Sequence, residues 1–325
     1  MTLPKRIILS RKGFDGGKKT GGVPSPIFPD DRMLSLPIPA TRSTHSTPTP
    51  DAGCPQSHSD LEWNGRGVSD IVSALRGAQV TGVHLDPDLD PDLKIKGKCR
   101  QPGWKGLFGQ SGSPQSALSK LQEGDLFLFF GLFSRVGEDA RGIRYVSREK
   151  SAELNALFGW LQIETIISVT DANGVRTKYS WAAGHPHLQG CYHDSKNTVY
   201  MGKEKLDIGE TPEDIPGFGV FEYFSEELQL SEKGNAGSFW IMPPWLKPKG
   251  KSRSVFASHP NGTTCWTPIY DETDNVVSHR IRLGQGQEFV LECSDYPESI
   301  AWALKKIRAG FSHQTRKKGG PLARL

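Results

Sequence analysis

The stretch from Glu123 to Tyr200 decides the fold, and it opens Glu123-Gly124-Asp125-Leu126-Phe127-Leu128-Phe129-Phe130. Gly124-Asp125 is a turn pair, and the five residues after it are all large and apolar. A run with no polar alternation reads as a strand covered on both faces. Past a polar loop come Phe158-Gly159-Trp160-Leu161-Gln162-Ile163 and Thr165-Ile166-Ile167-Ser168-Val169, β-branched and aromatic residues with a glycine among them. The stretch then delivers His185-Pro186-His187 and Asn197-Thr198-Val199-Tyr200. Buried strands thus lead into side chains that recognise or transform a polar ligand.

Upstream, Arg6 to Ser10 reads as a first strand with Ile7-Ile8-Leu9 turned inward, running into Arg11-Lys12-Gly13-Phe14-Asp15. Leu34 to Pro39 alternates like an edge strand, because its internal proline excludes a central one. Residues 40–60 are rich in Ser, Thr, Pro and His and read as an exposed loop that contributes little to folding. Val68, Ile71, Val72 and Leu75 fall at i, i+3, i+4 and i+7, which predicts an amphipathic helix ended by Gly77. Val83 to Asp92 reads as a short strand entering an acidic turn broken by prolines, and Ala117, Leu118 and Leu121 suggest a short helix. Downstream, strands are expected at 217–221, 238–242, 255–257 and 287–291. A closing helix carries Ile300, Leu304 and Ile307 and starts at Pro297.

At 325 residues the chain can bury a large core. Its apolar fraction of 36% and mean hydropathy of −0.47 fit a soluble protein, and no apolar run approaches the roughly 20 residues of a membrane span. The beginning has too short an apolar run for a secretory signal. Five scattered cysteines, never in a C-x-x-C pair, argue for a reducing compartment, and a cytoplasmic location is expected. The net charge of +4 says little, but its distribution says more: Lys305 to Leu325 holds seven Lys or Arg and no acid. Such a segment can reach phosphates or simply solubilise the end of the chain.

Three clusters carry chemistry. Arg11, Lys12 and Ser25 with the glycine-rich turn suit a phosphate, and Asp15 can orient a ribose or act as a base. His84 with Asp86, Asp88, Asp90 and Asp92 puts alternating carboxylates at a strand end, for a divalent cation or for acid/base work. In extended backbone His185 and His187 point to one side, which suits general acid/base chemistry or base recognition. A zinc ion would need further ligands, and no second cluster has clear ligand spacing, so no metal ligands are assigned and any cofactor stays unspecified. Asn197, Tyr200, Gln287 and Glu288 can read the edge or stack on the face of a base.

The order of motifs SRKGFD, PSPIFPDDRMLSLPIP, HLDPDL, W…FGQ, GDLFLFFGLF, GWLQIE, HPH, NTVY and GQEFVLE resembles the third type of nucleotide-modification-associated domain, from Ile7 to about Glu292. The resemblance implies a substrate class of nucleotides or modified bases, in the setting of base modification or of conflict between phage and host. Asp15, Asp86 and Asp88 keep their places in the pattern and carry over, and Gln110 of the FGQ element joins the ligand-binding set. Asp90 and Asp92 extend the acidic motif and are left out. A looser similarity, from Gly124 to Val169, is to the signature strands of PUA-like barrels.

The expected protein is therefore α+β: one strand-rich domain over residues 1–310, with a PUA-like barrel core, a few peripheral helices and a basic tail at 311–325. Its expected function is an enzyme acting on a nucleotide or nucleic-acid base, with a non-catalytic reader of a modified base as the alternative. Asp15, Asp86, Asp88, His185 and His187 would carry the chemistry. Arg11, Lys12, Ser25, Gln110, Asn197, Tyr200, Gln287 and Glu288 would bind ligand. The partner is a nucleotide or nucleic acid, with no membrane. The N-terminal and histidine motifs are expected to share one pocket.

Overall fold

Leu126 to Phe130 are each at most 1% exposed and begin a strand of 14 residues, Leu126–Asp139. Alternate side chains serve two layers, as the unbroken apolar run requires. Phe127 and Phe129 meet Phe108 on one side, and Phe130 meets Trp240 and Phe289 on the other. The computed structural model describes residues 3–14, 22–39, 56–77, 82–189, 196–209, 214–249, 254–256, 264–283 and 288–317.

Nine strands of the described residues make the main sheet. They are β1 Arg6–Arg11, β2 Ser25–Ile27, β3 Leu107–Gln110, β4 Leu126–Asp139, β5 Gly142–Tyr145, β6 Leu154–Ser168, β7 Thr198–Gly202, β8 Phe218–Val220 and β9 Glu288–Glu292. The path runs β9-β1-β4-β6-β7-β3, with β2 and β5 also on β4 and β8 also on β6. β1 and β2 lie parallel to β4, while β9 lies antiparallel to β1, so the sheet is mixed. The register of β6 on β4 shifts at Leu157/Gly159, where a Cβ would stand 2.8 Å from the Gly219 carbonyl oxygen. Glycine lets β8 approach there.

The two ends of this path meet through side chains. Gln110 on β3 donates to Glu288 on β9 at 3.0 Å, and Lys12, just past β1, pairs with the same carboxylate oxygen at 2.9 Å. Among the described residues no ladder joins β3 to β9, so the expected PUA-like barrel is not closed. The sheet curls until polar side chains bridge its edges, and the fold is strand-rich α+β.

Among the described residues four α-helices lie around it. α1, Val68–Arg76, ends at Gly77 and buries Val68, Ile71, Val72 and Leu75, as its spacing predicts. α2 is Gly112–Ala117, ahead of the expected position, and Leu118 and Leu121 pack into the core after it. α3 is Ala172–Lys178, and α4, Glu298–Lys317, follows Pro297 and runs beyond residue 310. Other expectations shift: only Ile38–Pro39 of the 34–39 segment forms a strand, paired with Val83–His84, and Val255-Phe256 is a turn. Of the 40–60 segment, 40–55 lie outside the described residues, and His58 beyond them is fully buried against the Pro37 carbonyl. No described helix is long and apolar enough to cross a membrane.

Asp125 explains why the turn before β4 is Gly-Asp. Its fully buried carboxylate accepts the backbone N–H groups of Lys5 at 3.0 Å, Arg6 at 2.8 Å and Gln122 at 3.0 Å, clamping β1 to β4. Asp125→Ala strands these donors and is expected to cost about 3 kcal/mol or more. Urea unfolding checks this: the midpoint should fall with an unchanged slope.

Candidate functional site

The segment after Val83–His84 docks on the outer edge of β3. Asp88 and Leu107 exchange backbone hydrogen bonds at 2.8 and 2.9 Å, and the Gly109 N–H donates to Asp86 Oδ1 at 2.8 Å. Asp86 therefore sits beside a strand with its carboxylate buried, at 6% exposure for the residue. Three imidazoles surround it. His84 Nε2 and His187 Nε2 each lie 3.5 Å from Oδ2, and His185 Nε2 lies 3.4 Å from Oδ1.

Local folding differs from the sequence reading here. Pro186–Leu188 is a turn of 3-10 helix that His185 precedes, so the two histidines are not on one extended strand. Proline at the first helical position favours such a turn. It still brings the rings together, with centroids 5.8 Å apart, and His187 stands 5.3 Å from His84. His187 is fixed from behind: its Nδ1 faces Asn197 Oδ1 at 2.6 Å, while Asn197 Nδ2 donates to the His187 carbonyl at 2.9 Å. Burial pushes the Asp86 carboxyl up, but the three imidazoles outweigh it and hold the group well below the usual carboxylate range. Burial pushes His84 down, towards the neutral form.

Gly109 makes this packing feasible. A Cβ at that position would stand 2.3 Å from two ring carbons of His187. Since side chains alternate along a strand, Phe108 and Gln110 face the other side of β3. There lie half of the expected ligand-binding residues: Lys12 with its ammonium 4.7 Å above the Phe108 ring, Gln110, Glu288 and Tyr200. Tyr200 exchanges hydrogen bonds with Gln115, and burial pushes its hydroxyl up to about 12. The sequence-derived site is thus divided between the two faces of one edge strand, with Asn197 on the histidine side.

Other expected residues have structural partners. Asp88 takes both ends of the Arg100 guanidinium, which also covers the Trp104 ring at 4.6 Å, so it stands apart from the histidines. Ser25 Oγ accepts the Leu36 N–H at 3.0 Å, holding a buried turn. Arg11 ends β1 opposite Phe130. Asp15 and Gln287 lie outside the described residues.

A cavity of about 230 Å3 adjoins Asp86, with Trp63, Trp160 and Phe218 among its walls and Gly13 of the N-terminal motif at its rim. Asp90, also in its wall, is pushed by burial up to about 6. His84 stands in the acidic motif but not among the expected site residues, and the aromatic walls are not evident in the sequence. His84 and Asp86 two apart in extended backbone was the available signal; the walls come from segments far apart in the chain.

A model of one known family matches residues 6–292. The chain belongs to the family described as nucleotide modification associated domain 3. The match has structural bounds, since Arg6 and Glu292 are register partners on β1 and β9 and share an ion pair at 2.9 Å. The family's segment therefore runs from the first to the last strand of the main sheet and contains the whole Asp86 cluster, with α4 beyond it. No curated protein and no solved structure matches the chain.

Two outcomes test this geometry. Gly109→Ala must displace His187, and overpacking of that kind costs about 1–3 kcal/mol; thermal unfolding should register it. For Asp90 the folded pKa lies above the ordinary 3.8, so its stabilising share is present below 3.8 and lost as pH rises through about 6. Asp90→Asn should raise the melting temperature well above pH 6 and have little effect below 3.8.

Proposed function

We propose that this protein is an enzyme acting on a nucleotide or nucleic-acid base, with Asp86, His185 and His187 as its chemical groups. The observation that carries the reading is one buried carboxylate ringed by three imidazoles at 3.4–3.5 Å. A carboxylate beside imidazoles is the kind of constellation that serves general acid/base chemistry. The aromatic cavity beside Asp86 supports a planar ligand, since Trp and Phe walls stack on a base of any sequence. Family membership supports nucleotides or nucleic acid as the substrate class, and base modification in phage–host conflict is the setting that fits it.

The same cavity favours a second reading, a non-catalytic reader that holds a modified base. The two separate in one experiment. Nucleotides, DNA and RNA are incubated with the full chain, and both products and retained ligands are identified by mass spectrometry. The enzyme reading expects a changed base or nucleotide, a loss of roughly 10²- to 10⁴-fold in rate for Asp86→Asn or His187→Ala, and a smaller effect on binding. Retained ligand without product, with affinity lost in Phe218→Leu, would replace the enzyme by the reader.

A further inference from the structure

The hydrogen bonds behind His187 decide where its proton is. The His187 carbonyl can only accept, so the Asn197 group facing it at 2.9 Å is the NH2, and the group facing the ring at 2.6 Å is the amide oxygen. Nδ1 must then carry a hydrogen. In the neutral ring this leaves Nε2 without a hydrogen, an acceptor 3.5 Å from the acceptor Asp86 Oδ2. Two acceptors facing each other in a buried site repel unless something positive lies between them.

The distance itself discriminates. At 3.5 Å, His84 Nε2 and His187 Nε2 are both too far from Oδ2 for a good hydrogen bond. Ligands at about 2.1 Å from one ion at tetrahedral angles lie about 3.4 Å from each other. The ligand atoms of His84, Asp86 and His187 all lie within 4.8 Å of one another. His185 adds a second, independent sign: it is 4% exposed, and among the described residues neither ring nitrogen has a hydrogen-bond partner. A buried polar ring of that kind calls for a ligand.

We propose that His84, Asp86 and His187 bind a divalent first-row transition-metal ion, with His185 beside it and at least one coordination position open. Two imidazoles and a carboxylate suit zinc, iron(II), cobalt(II) or manganese(II) rather than calcium or magnesium. Three protein ligands with an open position mark a catalytic rather than a structural centre. Asn197 is the positioning residue that fixes the tautomer of His187, the usual task of a group behind a metal-bound histidine. Metal binding can be read without turnover, so this inference and the substrate reading fail separately.

The test strips metal from the full chain with chelator and titrates cobalt(II), followed by its visible bands, with zinc as competitor. The exposed Cys99 and Cys265 are first changed to serine, because thiols capture these ions adventitiously. One equivalent is expected to bind and to raise the melting temperature. Asp86→Asn and His84→Gln should abolish that binding, and Asn197→Ala should weaken it by roughly 10- to 100-fold. Circular dichroism identifies any variant that fails to fold, and the two ligand substitutions serve as independent checks. The absence of saturable binding, or binding equal in wild type and Asp86→Asn, would overturn the proposal. If a proton on His187 Nε2, rather than an ion, lies between ring and carboxylate, the first of these outcomes is expected together with a protonated Nε2 in nitrogen NMR.

Discussion

A strand that is apolar on both faces cannot lie at a surface, and the rest of this structure answers that constraint. β4 needs a layer on each side. One is supplied by the curled sheet itself, where Phe108 and Tyr200 close over Phe127 and Phe129. The other is supplied by Trp240, Phe256 and Phe289, together with buried residues of α4. The charged clusters collect where the sheet ends, at β3 and β9. Both polar clusters therefore share one edge strand, and position alone does not say which of them is the site of reaction.

The fold was legible where periodicity and burial coincide. The run at Leu126, the helix at Val68 and the closing helix after Pro297 stand where a single stretch of chain dictates them. That the sheet curls without closing into a barrel was not legible, because strand pairing at the ends of the sheet depends on contacts across nearly the whole chain. Gln110 and Glu288 were both read as ligand-binding residues, yet their meeting across 178 positions closes the curl. The turn at Val255 fell out of reach for a related reason: Phe256 is apolar because it fills the space beside Trp240, and burial is not itself a sign of a strand.

At the site, residue types were readable and their allegiance was not. Asp86 and Asp88 look equivalent in HLDPDL. Backbone pairing places them two residues apart along β3, where one meets imidazoles and the other a guanidinium. His185 and His187 were paired for the wrong local reason, since a helical turn rather than an extended strand sets their spacing. Asn197 was read as reaching towards a ligand, whereas it orients His187 from behind. A single residue without a side chain, Gly109, makes room for that ring, and no pattern in the sequence announces it.

The two polar clusters differ in how their charge is met, and that difference assigns them. At the seam, Lys12 and Glu288 are one cation and one anion at 2.9 Å, with an aromatic face under the ammonium. The pair is neutral as a unit, and removing either partner would leave a costly buried charge. Such a pair holds a structure in register. Asp86 is matched instead by three groups whose charge is variable, and among the described residues its ion-pair contacts are with histidines. An anion held by imidazoles can exchange a proton or accept a cation with little rearrangement of the backbone around it. The closing of the sheet and the proposed chemistry therefore fall to opposite faces of β3.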